Sequence, residues 1–413
     1  MTDSLSSDEL PPAEAHEPLA NGGDAALAAG EGRAEITEFL SPDQPRRLPG
    51  PGLPEALAWC VGLFTAHGAA AVVLVVVIVV LMMAGGRGLG PFVPPGHPGG
   101  ESEVVHVPPA MTALDELPEE YLLLLIGGDQ LLVLLLTLVA VSLRLRGRVS
   151  QTLNFSALRP LHVLIVVGLT LPLATLCGEL YRVVHLGWSQ LVDSWPMFRW
   201  LDESNAVDEL QTVAKEASLP LMLLIIAVAP AVGEELVFRG VIGRGLVARW
   251  GLVRGVALTS ILFGMVHFHP AHALAVIPLG AAMHLLYLGT RSFWAPVLLH
   301  FLNNAWATLA AKLAAGSEDA AAALDEPTSP VLLLASTTVV IVLGTLLFRT
   351  RTRYVQPDGR EWDPGYATVE VPPVGVAQRV DGGCSSGRQL LTAVMAWAAF
   401  GAAFVAEVAA SIP

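Results

Sequence analysis

Two adjacent carboxylates and an arginine lie inside an otherwise apolar stretch of the chain, APAVGEELVFRG. On a helix, Glu235 and Arg239 are four residues apart, so they share a face and can neutralise each other, while Glu234 points about a hundred degrees away. A structural ion pair therefore explains one carboxylate but not two. Because ionisable groups are costly inside a membrane and mark functional sites there, Glu234 and Glu235 are candidate catalytic residues, with Arg239 as support.

Histidines and an amide occupy two later apolar stretches. In TSILFGMVHFHP, His267 follows Phe263 by four residues, and in LLHFLNNAW, His300 and Asn304 lie one helical turn apart on the same face. Such side chains can also be packed or can join helices through hydrogen bonds. Three further histidines are expected to lie in a loop or to be structural: His269, His272 and His284.

The depths of these side chains in the membrane decide whether they can meet. A rise of 1.5 Å per residue places Glu234 about 15 Å, His267 about 20 Å and His300 about 12 Å from the cytoplasmic edge. All three therefore fall near the middle of the membrane, which indicates one shared site.

The composition indicates a membrane protein, because 53% of the 413 residues are hydrophobic and 15% are charged, against about a quarter charged in soluble proteins. Backbone groups in lipid must bond internally, so the fold class is all-α, a polytopic transmembrane bundle of about nine spans. The predicted spans are 60–84, 121–143, 161–181, 218–243, 252–268, 271–289, 293–313, 329–348 and 390–410. The net charge of -14 argues against nucleic-acid binding, and the three cysteines show neither metal-ligand nor disulfide spacing.

The chain is expected to divide into six segments. They are a disordered acidic cytoplasmic tail without a cleavable signal at 1–56, N-terminal transmembrane helices with an interfacial segment at 57–217, a catalytic helical core at 218–313, an additional transmembrane helix at 314–348, a polar linker at 349–389 with a short strand at 366–371, and a C-terminal transmembrane helix at 390–413. Trp188, Trp195 and Trp200 indicate the interfacial segment.

Orientation follows from the arginines, because positively charged loops remain cytoplasmic. When nine spans alternate, the arginine-rich segments all fall on one side: 46–47, 144–159, 244–254, 291 and 349–353. The chain is therefore predicted to be an integral multi-pass protein with its N-terminus inside, in the cytoplasmic membrane if the source is prokaryotic.

Three motifs carry a family resemblance. EELVFR at 234–239, FGMVH at 263–267 and HFLNN at 300–304 match, in order, the patterns EExxxR, FxxxH and HxxxN. Over about residues 218–310 the chain resembles the CPBP family of intramembrane proteases, related to CAAX prenyl-endopeptidases and bacteriocin-processing enzymes. The resemblance implies Glu234 as the principal catalytic carboxylate, supported by Glu235 and Arg239. By the same motifs it implies that the rest of the site is His267, His300 and Asn304, with Phe263 in support.

Peptide hydrolysis needs an activated water and a stabilised oxyanion. In our hypothesis Glu234, with His267, takes a proton from water, while His300 and Asn304 donate to the oxyanion. A divalent metal such as zinc is a second possibility, held by Glu234, His267, His300 and Asn304. Metal-independent chemistry is favoured because the chain has no HExxH helix and an asparagine suits zinc poorly. The expected partners are a membrane-associated peptide or protein substrate and the lipid bilayer; prenyl recognition is not indicated by any residue.

Two other classes of function stay open at this point. An ion-coupled transporter would use Asp129 and Glu179 in the second and third spans, although we find no internal repeat that supports it. A non-catalytic protein that binds a peptide or confers immunity would keep the same fold. Loss of peptide cleavage or of ion flux in a Glu234→Gln variant distinguishes these functions.

Overall fold

The computed structural model describes residues 50–84, 119–202, 205, 210–211, 213–215, 217–317, 326–362, 370–372, 374, 377–381 and 387–411. The acidic tail predicted for 1–56 lies outside the described residues as far as position 49.

Apolar runs of the sequence form long helices, as predicted. The helices are α1 (Leu53–Ala84), α2 (Glu119–Arg144), α3 (Val149–Leu153), α4 (Pro160–Ser194), α5 (Arg199–Asp202), α6 (Leu219–Met265), α7 (Pro270–Thr290), α8 (Trp294–Ala315), α9 (Pro330–Arg349) and α10 (Gly387–Ser411). Proline lies in the first turn of α4, α7 and α9, where its missing N–H group costs no helical hydrogen bond.

Seven of the described helices are long and apolar enough to cross a membrane. One of them, α6, is 47 residues long and contains Gly251 with a φ of 75° and a ψ of 177°, which interrupts the helix. Its two arms correspond to the predicted spans at 218–243 and 252–268. The predicted span at 293–313 forms α8, whose polar residues lower its hydropathy below that of the seven. The architecture is therefore compatible with about nine spans.

Two short strands accompany the helices. Strands β1 (Thr352–Val355) and β2 (Gln378–Asp381) pair in antiparallel register. Most of the strand predicted at 366–371 lies outside the described residues, and Glu370 and Val371 within it are not in a strand. The polar segment therefore forms strands elsewhere, on either side of the predicted one.

Glu370 connects the polar segment to the helical bundle. Its carboxylate pairs with the guanidinium of Arg244 on α6. Burial raises the pKa of the Glu370 carboxyl, although the charge and the hydrogen bond of Arg244 act in the opposite direction.

Helix α4 lies at the centre of the bundle, in contact with α7, α8 and α9, while α6 packs against α2, α7 and α8. Phe238, Phe263 and Leu299 are fully buried in the largest apolar cluster, at the junction of α6 and α8. This packing brings the three predicted motifs to one place, because two of them lie on α6 or directly after it and the third lies on α8.

Candidate active site

Helix α6 departs from regular α-helical hydrogen bonding on both sides of the glutamate pair. It contains π-helical turns at Leu223–Val228 and Phe238–Ile242. Pro230 has no N–H group, so the carbonyl of Ile226, four residues earlier, loses its usual helical partner. Asn304 on α8 donates from Nδ2 to this carbonyl over 3.0 Å. Asn304 therefore joins α8 to α6 at a point that the proline leaves open.

A buried ion cluster forms the floor of the site. Oε1 of Glu235 accepts from Nη1 of Arg239 over 2.6 Å, and both side chains are fully buried. Nη2 of Arg239 donates to the carbonyl of Gly280 on α7 over 2.8 Å, and its guanidinium lies over the ring of Phe263. Arg239 is therefore held by α6 itself, by α7 and by an aromatic face.

His300 brings the α8 motif onto this cluster. Its Nδ1 lies 3.0 Å from Oε1 of Glu235, and because a carboxylate accepts, Nδ1 is the donor. The other ring nitrogen, Nε2, then faces Glu234 at 3.9 Å from Oε2. That distance is too long for a direct hydrogen bond, and an atom of water or substrate between the two groups could contact both.

The two neighbouring glutamates differ in their surroundings. Glu235 is fully buried, whereas the Glu234 side chain is 23% exposed. One carboxylate oxygen of each residue, Oε2, is buried without a hydrogen-bond partner among the described residues. Glu234 is therefore the carboxylate that a water molecule or a substrate can reach, and Glu235 is the one that holds the cluster.

His267 is connected to the cluster by the aromatic ring of Phe263. Its Nδ1 donates to the carbonyl of Phe263 over 2.9 Å, which leaves Nε2 as an acceptor in the neutral imidazole. The ring of Phe263 contacts both His267, with centroids 5.1 Å apart, and His300, at 5.8 Å. Phe263 therefore lies in contact with both histidines, and its supporting role stays a prediction.

The four residues predicted to hold a metal differ in their contacts. Glu234 and His300 face each other, whereas His267 and Asn304 each donate a hydrogen bond from a side-chain nitrogen to a backbone carbonyl. A metal at this place stays a prediction.

Residues 216–306 match the family model described as type II CAAX prenyl endopeptidase Rce1-like. The matched segment includes all three motifs. This matched segment, the CPBP core, is similar to the CPBP family of membrane proteases, which supports the resemblance that the motifs carry.

A relative of Bacillus subtilis (strain 168), named as a membrane peptidase, YdiL, is 26% identical over 92 residues. This stretch is 22% of the present chain and 38% of the relative, so the chain spans well under half the length of that relative. No solved structure matches the chain.

Two residues outside the CPBP core extend the site. His67 on α1 pairs with Asp129 on α2 through Nδ1 and Oδ2, 2.6 Å apart, and His67 interacts electrostatically with Glu234. No motif singles out His67 in the sequence, and Asp129 is a candidate there only for transport. No spacing could have revealed the pair, because the partners are 62 residues apart.

A third residue that the sequence did not assign to the site, His272, lies inside the CPBP core. The ring of His272 packs edge-on against His267, with centroids 4.6 Å apart, although the sequence predicted a loop residue there. His272 is the third residue of α7, because that helix already begins at Pro270.

The apolar groove nearest the site opens between α1 and α2. It has a volume of about 290 Å³, and Val237, one helical turn after Glu234, forms part of its lining. The remaining lining residues come from α1 and α2, among them Trp59, Leu63 and Leu136.

Proposed function

We propose that this protein is an intramembrane endopeptidase that hydrolyses a peptide bond of a membrane-associated peptide or protein. One observation carries the proposal. An accessible carboxylate, Glu234, lies beside a fully buried set of Glu235, Arg239 and His300 that holds an imidazole nitrogen towards it. A structural ion cluster would have no need of the second carboxylate.

Glu234 is assigned to take the proton from the attacking water. His267 assists as an acceptor through Nε2, because its Nδ1 proton is committed to the carbonyl of Phe263. A base held in place by a second group is the general requirement for activating a weak nucleophile, and it contributes about 10²- to 10⁴-fold to the rate.

His300 and Asn304 are assigned to the oxyanion. Glu235 accepts from Nδ1 and so fixes the His300 ring with Nε2 towards Glu234; in the imidazolium form Nε2 also carries a proton and can donate it to the oxyanion. The Asn304 amide has two hydrogens, of which the carbonyl of Ile226 takes one. Donors that are already fixed before the reaction stabilise a developing negative charge without reorganisation.

The transporter alternative depends on Asp129 and Glu179, and each has a local partner. Asp129 pairs with His67, and Glu179 pairs with Arg182 at 2.6 Å and accepts from the backbone N–H of Thr328. Local pairing accounts for both carboxylates without an ion pathway, which favours the protease.

The test is cleavage of a pool of membrane-anchored peptides by the purified protein in detergent, with products identified by mass spectrometry. We expect wild type to cut, Glu234→Gln and His300→Ala to be inactive while still folded, and Glu179→Gln to remain active. Glu179→Gln is the matched control because it also removes a carboxylate from a membrane helix. Equal cutting by wild type and Glu234→Gln would contradict the proposal.

Metal dependence is decided in the same assay. A membrane-permeant chelator should leave the wild-type rate unchanged if Glu234 acts without a metal. Loss of cleavage that one particular metal restores would assign the metal-dependent chemistry instead.

A further inference from the structure

A second group of titratable side chains lies away from the glutamate cluster, at the opposite end of α7 from Arg291. It consists of His185 near the end of α4, Asp202 at the end of α5 and His269 directly before α7. One ligand atom from each of the three lies within 4.8 Å of the others. Among the described residues, this is the one group of three or more His, Cys, Asp or Glu side chains with such spacing.

The histidines of this group are more deeply buried than polar side chains usually are. The side chain of His269 is fully buried. Nδ1 of His269 and Nδ1 of His185 are both buried without a hydrogen-bond partner among the described residues. Burying a polar nitrogen without a partner costs free energy, so such nitrogens require an explanation. A metal ion that accepts the lone pair of Nδ1 of His185 would give that nitrogen its partner.

The distances suit a metal of ordinary size. Nε2 of His269 and Oδ1 of Asp202 are 3.4 Å apart. Two ligands that each lie about 2.0–2.1 Å from a tetrahedral zinc ion are about 3.3–3.4 Å apart, so this pair already has the required separation. The His185 ligand atom lies within 4.8 Å of the other two, so it completes the group after a movement of up to about 1.4 Å, which a side-chain rotation can supply.

Neighbouring side chains hold the three ligands in place. The indole Nε1 of Trp188 donates to Oδ1 of Asp202 over 3.1 Å, and its ring packs edge-on against His269. The ring of Tyr181 stacks on His185 with centroids 5.5 Å apart. Such outer partners orient metal ligands and are part of most metal sites.

The group opens to the surface of the molecule on one side. His185 lies 25 residues after Pro160, which corresponds to about 38 Å along α4. Asp202 is 36% exposed, so the group opens to solvent on one side.

We propose that His185, Asp202 and His269 form a binding site for a divalent transition-metal ion, with zinc as the best match. Two imidazoles and one carboxylate are a donor set that zinc uses, and the exposed side leaves a position for water. The site joins the interfacial segment α5 to the ends of α4 and α7. It uses none of the residues assigned to peptide hydrolysis, so it does not depend on the proposed function.

The site also has a mechanical connection to the glutamate cluster. The backbone N–H of His269 donates to the carbonyl of His267 over 2.6 Å, and Phe268 between them has a φ of 56°. A left-handed conformation is unfavourable for a residue with a side chain, so the surroundings must hold this turn. His269 and His267 are therefore joined through one short turn.

The experiment measures zinc binding by the full chain, purified in detergent through a tag without histidine and stripped with EDTA. Isothermal titration with zinc chloride and elemental analysis after dialysis give affinity and stoichiometry. The variants are His185→Gln, Asp202→Asn and His269→Gln. The matched control is His67→Gln, which removes another histidine that is paired with a carboxylate.

We expect wild type and His67→Gln to bind one zinc ion with equal affinity. Loss of an outer partner alone weakens metal binding by 10- to 100-fold, so loss of a ligand should weaken it by about 100-fold or more. If a histidine variant fails to fold, Asp202→Asn decides, because its side chain is partly exposed and fills no core position. The cobalt-loaded protein should also lose its visible absorption in that variant.

Three results would overturn the proposal. They are absence of zinc from wild type, unchanged affinity in Asp202→Asn, and loss of zinc in Glu234→Gln and His300→Gln while the three variants of the group retain it. The last result would assign the metal to the glutamate cluster. If wild type binds two zinc ions and the glutamate-cluster variants lose only one of them, the proposal stands, because the other ion still depends on His185, Asp202 and His269.

Discussion

The same isosteric change at two adjacent positions should have different consequences in this protein. Glu235 is fully buried, and its Oε1 accepts from Arg239 over 2.6 Å and from His300 over 3.0 Å. Glu235→Gln removes the charge that balances the buried Arg239 guanidinium. Breaking a buried ion pair by neutralising one partner costs about 3–5 kcal/mol, because the other charge stays buried and uncompensated.

Glu234→Gln should cost much less stability. Glu234 is 23% exposed, and its ion-pair partner His300 is 3.9 Å away, so the loss should stay below about 1 kcal/mol. The cleavage rate of Glu234→Gln should nevertheless fall directly, because Glu234 is the assigned base. Its removal should lower the cleavage rate by about 10²- to 10⁴-fold while the protein remains folded.

The assay is thermal unfolding of wild type and both variants in the same detergent, followed by cleavage of a membrane-anchored peptide below the lowest midpoint. A change of 1 kcal/mol shifts the midpoint by roughly 2–4 °C in a domain of 150–250 residues, so Glu235→Gln should unfold several degrees below Glu234→Gln. In Glu235→Gln with Arg239→Met, part of the loss should be recovered, because no unpaired charge remains. Equal midpoints for the two single variants would refute this account of the cluster.

Two further predictions concern the contacts that hold α6. Asn304→Leu should lower the free energy of unfolding by about 1–3 kcal/mol, because the Ile226 carbonyl loses its donor. In a Pro230→Ala background, where a backbone N–H returns, denaturant or thermal unfolding should show a smaller loss. An equal loss in both backgrounds would argue against the contact. Gly243→Ala should cost about 1–3 kcal/mol in the same measurement, because its Cβ would collide with Cε1 of His284. A midpoint at the wild-type value would show that the helices can separate without cost.

Local patterns in the sequence were sufficient to predict several features of this protein. Apolar runs of about 20 residues predicted membrane helices, because a helix in lipid must satisfy its own backbone groups. Four-residue spacing predicted the pairing of Glu235 with Arg239, because the period of the helix alone places them on one face. Spacing likewise predicted that His300 and Asn304 face the same direction.

Long-range contacts were decided by the tertiary structure. His300 and Glu235 are 65 residues apart, and their contact depends on how α8 rotates and crosses α6. The same crossing sets which glutamate is buried and which is accessible. The α4 helix continues to Ser194, past its predicted end at 181, because hydrogen bonding continues where hydropathy falls.

Two groups that include residues outside the CPBP core show the same limit most clearly. His67 with Asp129, and His185 with Asp202 and His269, each combine residues from different helices. Their spacing along the chain follows no helical or strand period, so no sequence pattern predicts them. The sequence therefore determined the membrane fold class and the motifs that identify the core, because both depend on local periodicity. The packing of helices alone determined which side chains meet.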